Sequence, residues 1–82
     1  MNYTVLLRLP AIKARTARSR SSTYADIKAG LFVSPVSIGV RAVAWPENEV
    51  EEIITARIAG KSDDEIRQLV AKLESARRGG PK

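Results

Sequence analysis

Apolar positions recur at i, i+3, i+4 and i+8 in Val50, Ile53, Ile54 and Ile58, and at i, i+3, i+4 and i+7 in Ile66, Leu69, Val70 and Leu73. Each set lines one side of an α-helix and predicts a buried stripe. Trp45-Pro46 opens the earlier helix, with proline expected at its first position, where the missing N–H has no partner to lose. Gly60 is expected to end it. The later helix starts at Ser62-Asp63-Asp64-Glu65, a capping box in which Ser62 and Glu65 each satisfy a backbone donor of the other. Arg77 and Arg78 suit the negative end of its dipole, and the last four residues read as a tail without structure. Ahead of both helices the period changes. Pro35 blocks helix, Val36-Ser37-Ile38 alternates as a strand does, Gly39-Val40-Arg41 is expected to turn, and Ala42-Val43-Ala44-Trp45 returns as the partner strand. In that β-hairpin Val36 and Ile38 are expected to share an inner face with Val43 and Trp45, with Arg41 at or near the tip.

Upstream, the punctuation carries more than the periodicity. Leu9-Pro10 opens a short helix through Ala14, and the hydroxyl-rich run from Thr16 to Ser22 closes it, because such side chains compete for backbone hydrogen bonds. Ser19 or Ser21 is the expected N-cap of a second helix, through Tyr24, Ile27 and Lys28, that stops at Gly30. Two short helices joined by a tight turn, then a hairpin, then a helix, is the order of a winged helix-turn-helix. In that motif the second helix enters the major groove of DNA. The expected fold is therefore mainly α with a small β-hairpin: a winged helix-turn-helix over residues 1–59, and a C-terminal helical extension over 60–82. The extension either packs on the domain or serves self-association.

Charge gives this order an orientation. The net charge of +5 divides into +6 over residues 1–44, where Asp26 is the one acid, −5 over 45–66 and +4 over 67–82. A polyanion should meet the first half. At 82 residues the chain is one domain. It has no Cys and no His, which removes disulfides, thiolate or imidazole metal sites and an imidazole general base. The carboxylates at 47–52 and 63–65 stand in the first turns of two helices, where the dipole favours anions, so no catalytic or metal site and no cofactor is expected. Trp45 is assigned to the core, since one aromatic without basic and aromatic neighbours makes no single-strand platform. The apolar run Val5-Leu6-Leu7 is too short for a signal or membrane segment, and a soluble cytoplasmic protein is expected.

Several stretches together resemble the AlpA-type prophage regulators, small proteins with a MerR-like winged helix-turn-helix related to phage excisionases. They are Leu7-Arg8-Leu9-Pro10, Ser19-Arg20-Ser21-Ser22-Thr23-Tyr24, Ile27-Lys28-Ala29-Gly30, Gly39-Val40-Arg41-Ala42-Val43-Ala44-Trp45 and Glu49-Val50. The resemblance covers about residues 6–59 and implies a DNA-binding transcription factor, often one that controls or assists excision of an integrated element. This chain departs from the family pattern in three places. It has Ala17-Arg18 where a Gly-Leu pair is usual, Thr23 where an apolar residue is common, and Ala25-Asp26 after the Tyr, where an Arg is common.

The expected DNA-contacting residues are Arg18, Arg20, Ser21, Ser22, Tyr24 and Lys28 in and before the second helix, and Arg41 on the wing. Lys13 and Arg15 are weaker candidates for backbone contacts. The serines, Tyr24 and the helix N-terminus suit phosphates and base edges, and Arg41 suits the minor groove or adjacent phosphates. The expected role is a sequence-specific double-stranded DNA-binding transcriptional regulator of a prophage or integrative element, with no small-molecule ligand and with self-association on DNA left open. One alternative is an excisionase that bends DNA at attachment sites, with an integrase as partner. The other is a protein-interaction adaptor that works through the acidic third helix and the last stripe.

Overall fold

A computed structural model describes residues 5–79. The elements run β1 (Leu6–Leu7), α1 (Leu9–Thr16), α2 (Arg20–Ala29), β2 (Val36–Gly39), β3 (Ala42–Pro46), α3 (Glu47–Ile58) and α4 (Asp63–Gly79). The fold is mainly α, a winged helix-turn-helix with an additional C-terminal helix, as the element order predicted. Of the four-residue tail expected at the C-terminus, Gly79 is instead the last residue of α4, and residues 80–82 lie outside the described residues.

Local chemistry sets the boundaries. Pro10 is the second residue of α1, not the first, and Pro46 is the N-cap of α3; both proline nitrogens still fall where no helical acceptor is lost. α1 runs two residues further than expected, to Thr16, whose hydroxyl donates to Ile12 O at 2.8 Å inside the helix. It ends at Ala17 in the left-handed region, φ +59°. Ser19 is the N-cap of α2, its Oγ accepting from the Ser22 N–H at 3.1 Å, and Gly30 closes that helix at φ +81°. The capping box of α4 forms as expected: Ser62 N–H donates to Glu65 Oε1 at 2.9 Å and Glu65 N–H to Ser62 Oγ at 3.2 Å.

The sheet has three strands in the order β1-β3-β2, all antiparallel. The sequence pattern missed β1, because two residues are too few to show a period; it is held by the pairs Leu6↔Pro46 and Leu7↔Trp45. The expected facing of the hairpin is corrected by its register. Val36 pairs with Ala44 and Ser37 with Val43, so Val36 shares a face with Ala44 and not with Val43 and Trp45. The register then shifts between Ser37 and Gly39, which leaves Ile38 without a cross-strand partner and 44% exposed. Gly39 pairs with Ala42, so the loop is Val40-Arg41 alone and not a three-residue turn.

Trp45, Ile12, Val33, Val50 and Ile66 are fully buried and, with Leu7, Phe32, Ile53, Ala56 and Val70, form one core. The Trp45 indole N–H donates to Val33 O at 3.0 Å, so the largest side chain is packed and satisfied at once. Both stripes enter this core, with one correction: Ile58, counted in the α3 stripe, is 81% exposed. Its i+8 spacing overshoots two full turns of 3.6 residues, and Ala56 fills the inward position at that end.

α4 is also fastened by charge. Arg77 donates through Nε to both carboxylate oxygens of Glu49 at 3.0 Å and through Nη2 to Glu49 Oε1 at 2.6 Å. The same Nη2 donates to Ser34 O at 2.6 Å, and Glu74 Oε2 accepts from the Ser34 N–H at 2.7 Å. Glu49 is buried in this arrangement. The sequence pattern places Glu49 on an outer acidic face and Arg77 at a helix dipole; the structure pairs them across α3 and α4 and hangs the segment before the wing on the result.

Candidate nucleic-acid interface

The arginines and lysines divide by partner. Arg15 meets Glu47 at 2.7 Å and Glu51 at 3.6 Å, Arg57 meets Asp63 at 3.6 Å, and Arg67 meets Asp64 at 3.2 Å while its Nε donates to Ala29 O at 3.0 Å. Arg77 is taken by Glu49. Arg18, expected among the contact residues, donates through Nε and Nη2 to the two oxygens of Asp26 at 3.1 and 2.9 Å. It flanks a cleft of about 460 Å³ lined also by Leu31, Phe32, Ile53 and Ile54. In the turn, Ala17 adopts the left-handed backbone that a glycine would supply, and Arg18 is tied to the helix it precedes.

That tie uses the one acid of residues 1–44. Arg20, Lys28 and Arg41 are exposed and form no ion pair with any described residue, and Lys13 shares that condition. The α2 and wing region therefore presents uncompensated positive charge, while the arginines near α3 and α4 (Arg15, Arg57, Arg67 and Arg77) are spent internally. Lys61, Lys72 and Arg8 are also exposed and form no ion pair with a described residue.

α2 presents its first turn in a particular way. Ser21 is exposed and Ser22 half-buried. The Ser22 N–H is capped by Ser19, and the Thr23 N–H bonds Ser19 O at 2.9 Å, which leaves the Arg20 and Ser21 N–H groups at the positive end of the helix. Thr23 replaces an apolar residue without penalty. It is 3% exposed, and its hydroxyl donates to Ser19 O at 2.8 Å, so the polar atom is satisfied inside the helix. One turn on, the Tyr24 ring packs edge-to-face on Trp45, with centroids 6.2 Å apart at 67°. Tyr24 is 37% exposed, and the Arg20 guanidinium carbon lies over its ring, 5.5 Å from the centroid. Lys28 stands in the last turn of α2.

On the wing, Arg41 is held at φ +58°, a left-handed conformation that costs a side-chain-bearing residue about 1 kcal/mol. Its neighbour Val40 is 92% exposed. The sequence pattern places Val40 in the turn, and a lone valine in a loop carries no periodicity by which its exposure could be read.

A two-helix unit with a capped second helix, a wing with arginine at its tip and a helical support behind define a winged helix-turn-helix protein. Residues 5–58 match the family model described as "Prophage CP4-57 regulatory protein (AlpA)", and the chain belongs to that family of phage regulatory proteins. It is also similar to the uncharacterized protein ORF88 of Enterobacteria phage P4, 40% identical over 55 residues, which make up 67% of this chain and 62% of that relative. The similarity therefore spans less than two thirds of the relative's length. No solved structure matches the chain. No described helix is long and apolar enough to cross a membrane.

Proposed function

We propose that the protein is a sequence-specific double-stranded DNA-binding transcriptional regulator of a prophage or integrative element. The observation that carries this reading is the pairing pattern of its cations: Arg20, Lys28 and Arg41 are left without carboxylate partners on the two elements that a winged helix-turn-helix lays on DNA. α2 enters the major groove. Its free N–H groups and Ser21 meet phosphate at the point of entry, and Lys28 meets backbone at the other end. Arg41 reaches the minor groove or the phosphates beside it, where the potential is most negative.

A single module of this size buries only about 600 to 1,000 Å² of protein on DNA, so tight binding needs several copies. Ile66 and Val70 of the α4 stripe are spent in the core of their own chain, and only half-buried Leu69 and Leu73 remain for contact between copies. We therefore read α4 as packed on the domain, with copies brought together mainly by adjacent DNA sites.

The test is equilibrium binding to duplexes from the promoters and attachment region of the element that carries the gene. With about five phosphates neutralised, log K should fall with log salt at a slope of roughly −4 to −5. A flat salt dependence rejects DNA binding and leaves the adaptor reading. Strong bending confined to attachment-site fragments would move the role from transcription to excision.

A further inference from the structure

Three unpaired cations occupy the proposed interface, but only one of them is mechanically supported. Arg41 projects from a two-residue loop and Lys28 from the end of a helix. Arg20 instead lies over the Tyr24 ring one turn away, at 5.5 Å. That ring is held edge-on by Trp45, and the Trp45 indole is pinned to Val33 O at 3.0 Å inside the core. Trp45 is 0% exposed and cannot shift without disturbing the packing of the whole domain. A chain of contacts thus runs from the core, through an indole and a phenol, to a guanidinium at the first residue of α2.

The chemistry that benefits from such a support is specific. A phosphate accepts a cation from many directions, and a mobile side chain serves it well. A guanine edge presents O6 and N7 in one plane, and only an arginine fork aligned with that plane makes both bonds. A guanidinium attracted to one ring face has fewer directions in which to point, so less side-chain entropy is lost when it bonds. No carboxylate competes for it: Asp26, the one acid nearby in sequence, is committed to Arg18. We infer that Arg20 reads a guanine in the major groove, and that Tyr24 is a positioning residue that aims it. The inference rests on the DNA-binding reading above and adds the base class and the division of labour within α2.

The experiment uses the whole chain. Its preferred duplex is first selected from a randomised pool, and each guanine in it is then replaced by 7-deazaguanine, which lacks the N7 acceptor. For the wild type, one substitution per site should weaken binding roughly tenfold to a hundredfold. In Arg20→Ala the same substitution should have no effect, and selection should no longer return guanine at that position. Tyr24→Phe keeps the ring and should keep the preference. Tyr24→Leu removes the ring and should reduce the preference, with the salt slope unchanged. Melting curves of all variants establish that they are folded. If Arg20→Ala weakens every sequence alike and reduces the salt slope by about 1, Arg20 is a phosphate contact and the inference fails while the DNA-binding reading stands. Loss of preference in Tyr24→Phe would overturn the positioning role, because the hydroxyl would then be the contact. Absence of any salt-dependent duplex binding would overturn both.

Discussion

Arg18 and Arg20 are two residues apart and both exposed, yet they stand in opposite conditions. Arg18 is clasped by the two oxygens of Asp26; Arg20 has a phenol ring beneath it and no anion beside it. The same contrast holds between regions for the arginines, although Lys61 and Lys72, beside α3 and in α4, are exposed and form no ion pair with a described residue. Arg15, Arg57, Arg67 and Arg77 are tied to the carboxylates of α3 and α4 or of their flanks, whereas the cations of α2 and the wing carry none. Positive charge in this protein is thus of two kinds, one that fastens helices and one that is left over. Only the second kind is free to release counterions from DNA.

The largest expected break in that comparison is at the fastening end. Arg77→Met strands the buried Glu49 carboxylate and the Ser34 carbonyl. It should cost about 3 kcal/mol, the lower end for breaking a buried pair, since Arg77 retains contact with solvent. Urea unfolding measures it, and the double variant Glu49→Leu/Arg77→Met should recover most of the loss. DNA affinity below the melting temperature should hardly change.

At the free end the expected pattern is reversed. Arg41→Ala should weaken DNA binding by about 1 kcal/mol or more and leave the melting temperature in place. Arg18→Ala should do the opposite, with a stability loss of under about 1 kcal/mol for a half-exposed pair and a smaller effect on DNA than Arg20→Ala. Equal losses of affinity from Arg18→Ala and Arg20→Ala would abolish the distinction between the two kinds of charge.

Smaller effects sharpen the elbow between the first two helices and the joint before the last. Ala17→Gly relieves about 1 to 2 kcal/mol of left-handed strain and, after about 0.5 to 1 kcal/mol for the freedom that glycine adds to the unfolded chain, should stabilise the fold by about 0.5 to 1 kcal/mol. At the joint, the Ser62 backbone N–H, followed by its hydroxyl and the Lys61 charge, holds Glu65 below its ordinary pKa of 4.5. A lowered folded pKa contributes stability that is present above 4.5 and is lost as the pH falls through the folded value. Glu65→Gln should therefore narrow the stability difference between neutral and acidic solution, read from melting curves across that interval.

Much of the fold is legible in the chain because the relevant signals are local. The capping box at Ser62 and the stop at Gly30 each depend on residues within a turn of one another and form as the sequence predicts, and of the two N-caps the sequence offers, Ser19 and Ser21, the structure uses Ser19. The two stripes are legible for the same reason, down to the point where Ile58 overshoots the period. The register of the hairpin was not legible. It depends on an irregularity between Ser37 and Gly39 that alternation alone does not mark, and a slip of one residue exchanges the faces of a strand. Nor was β1, which exists only because β3 offers it an edge.

For the candidate site, the sequence by itself determined the residue types: a serine-capped helix with arginine at its start, a wing with arginine at its tip, and a surplus of positive charge in the first half. Tertiary structure alone decided which of those charges are available. Arg77 meets Glu49 across 28 positions, and Ser34 meets Glu74 across 40. Pairing at such separations follows from how helices pack, not from spacing along the chain. A formal charge is a property of a residue, but the field it presents to a partner depends on whether another side chain already neutralises it at hydrogen-bonding distance.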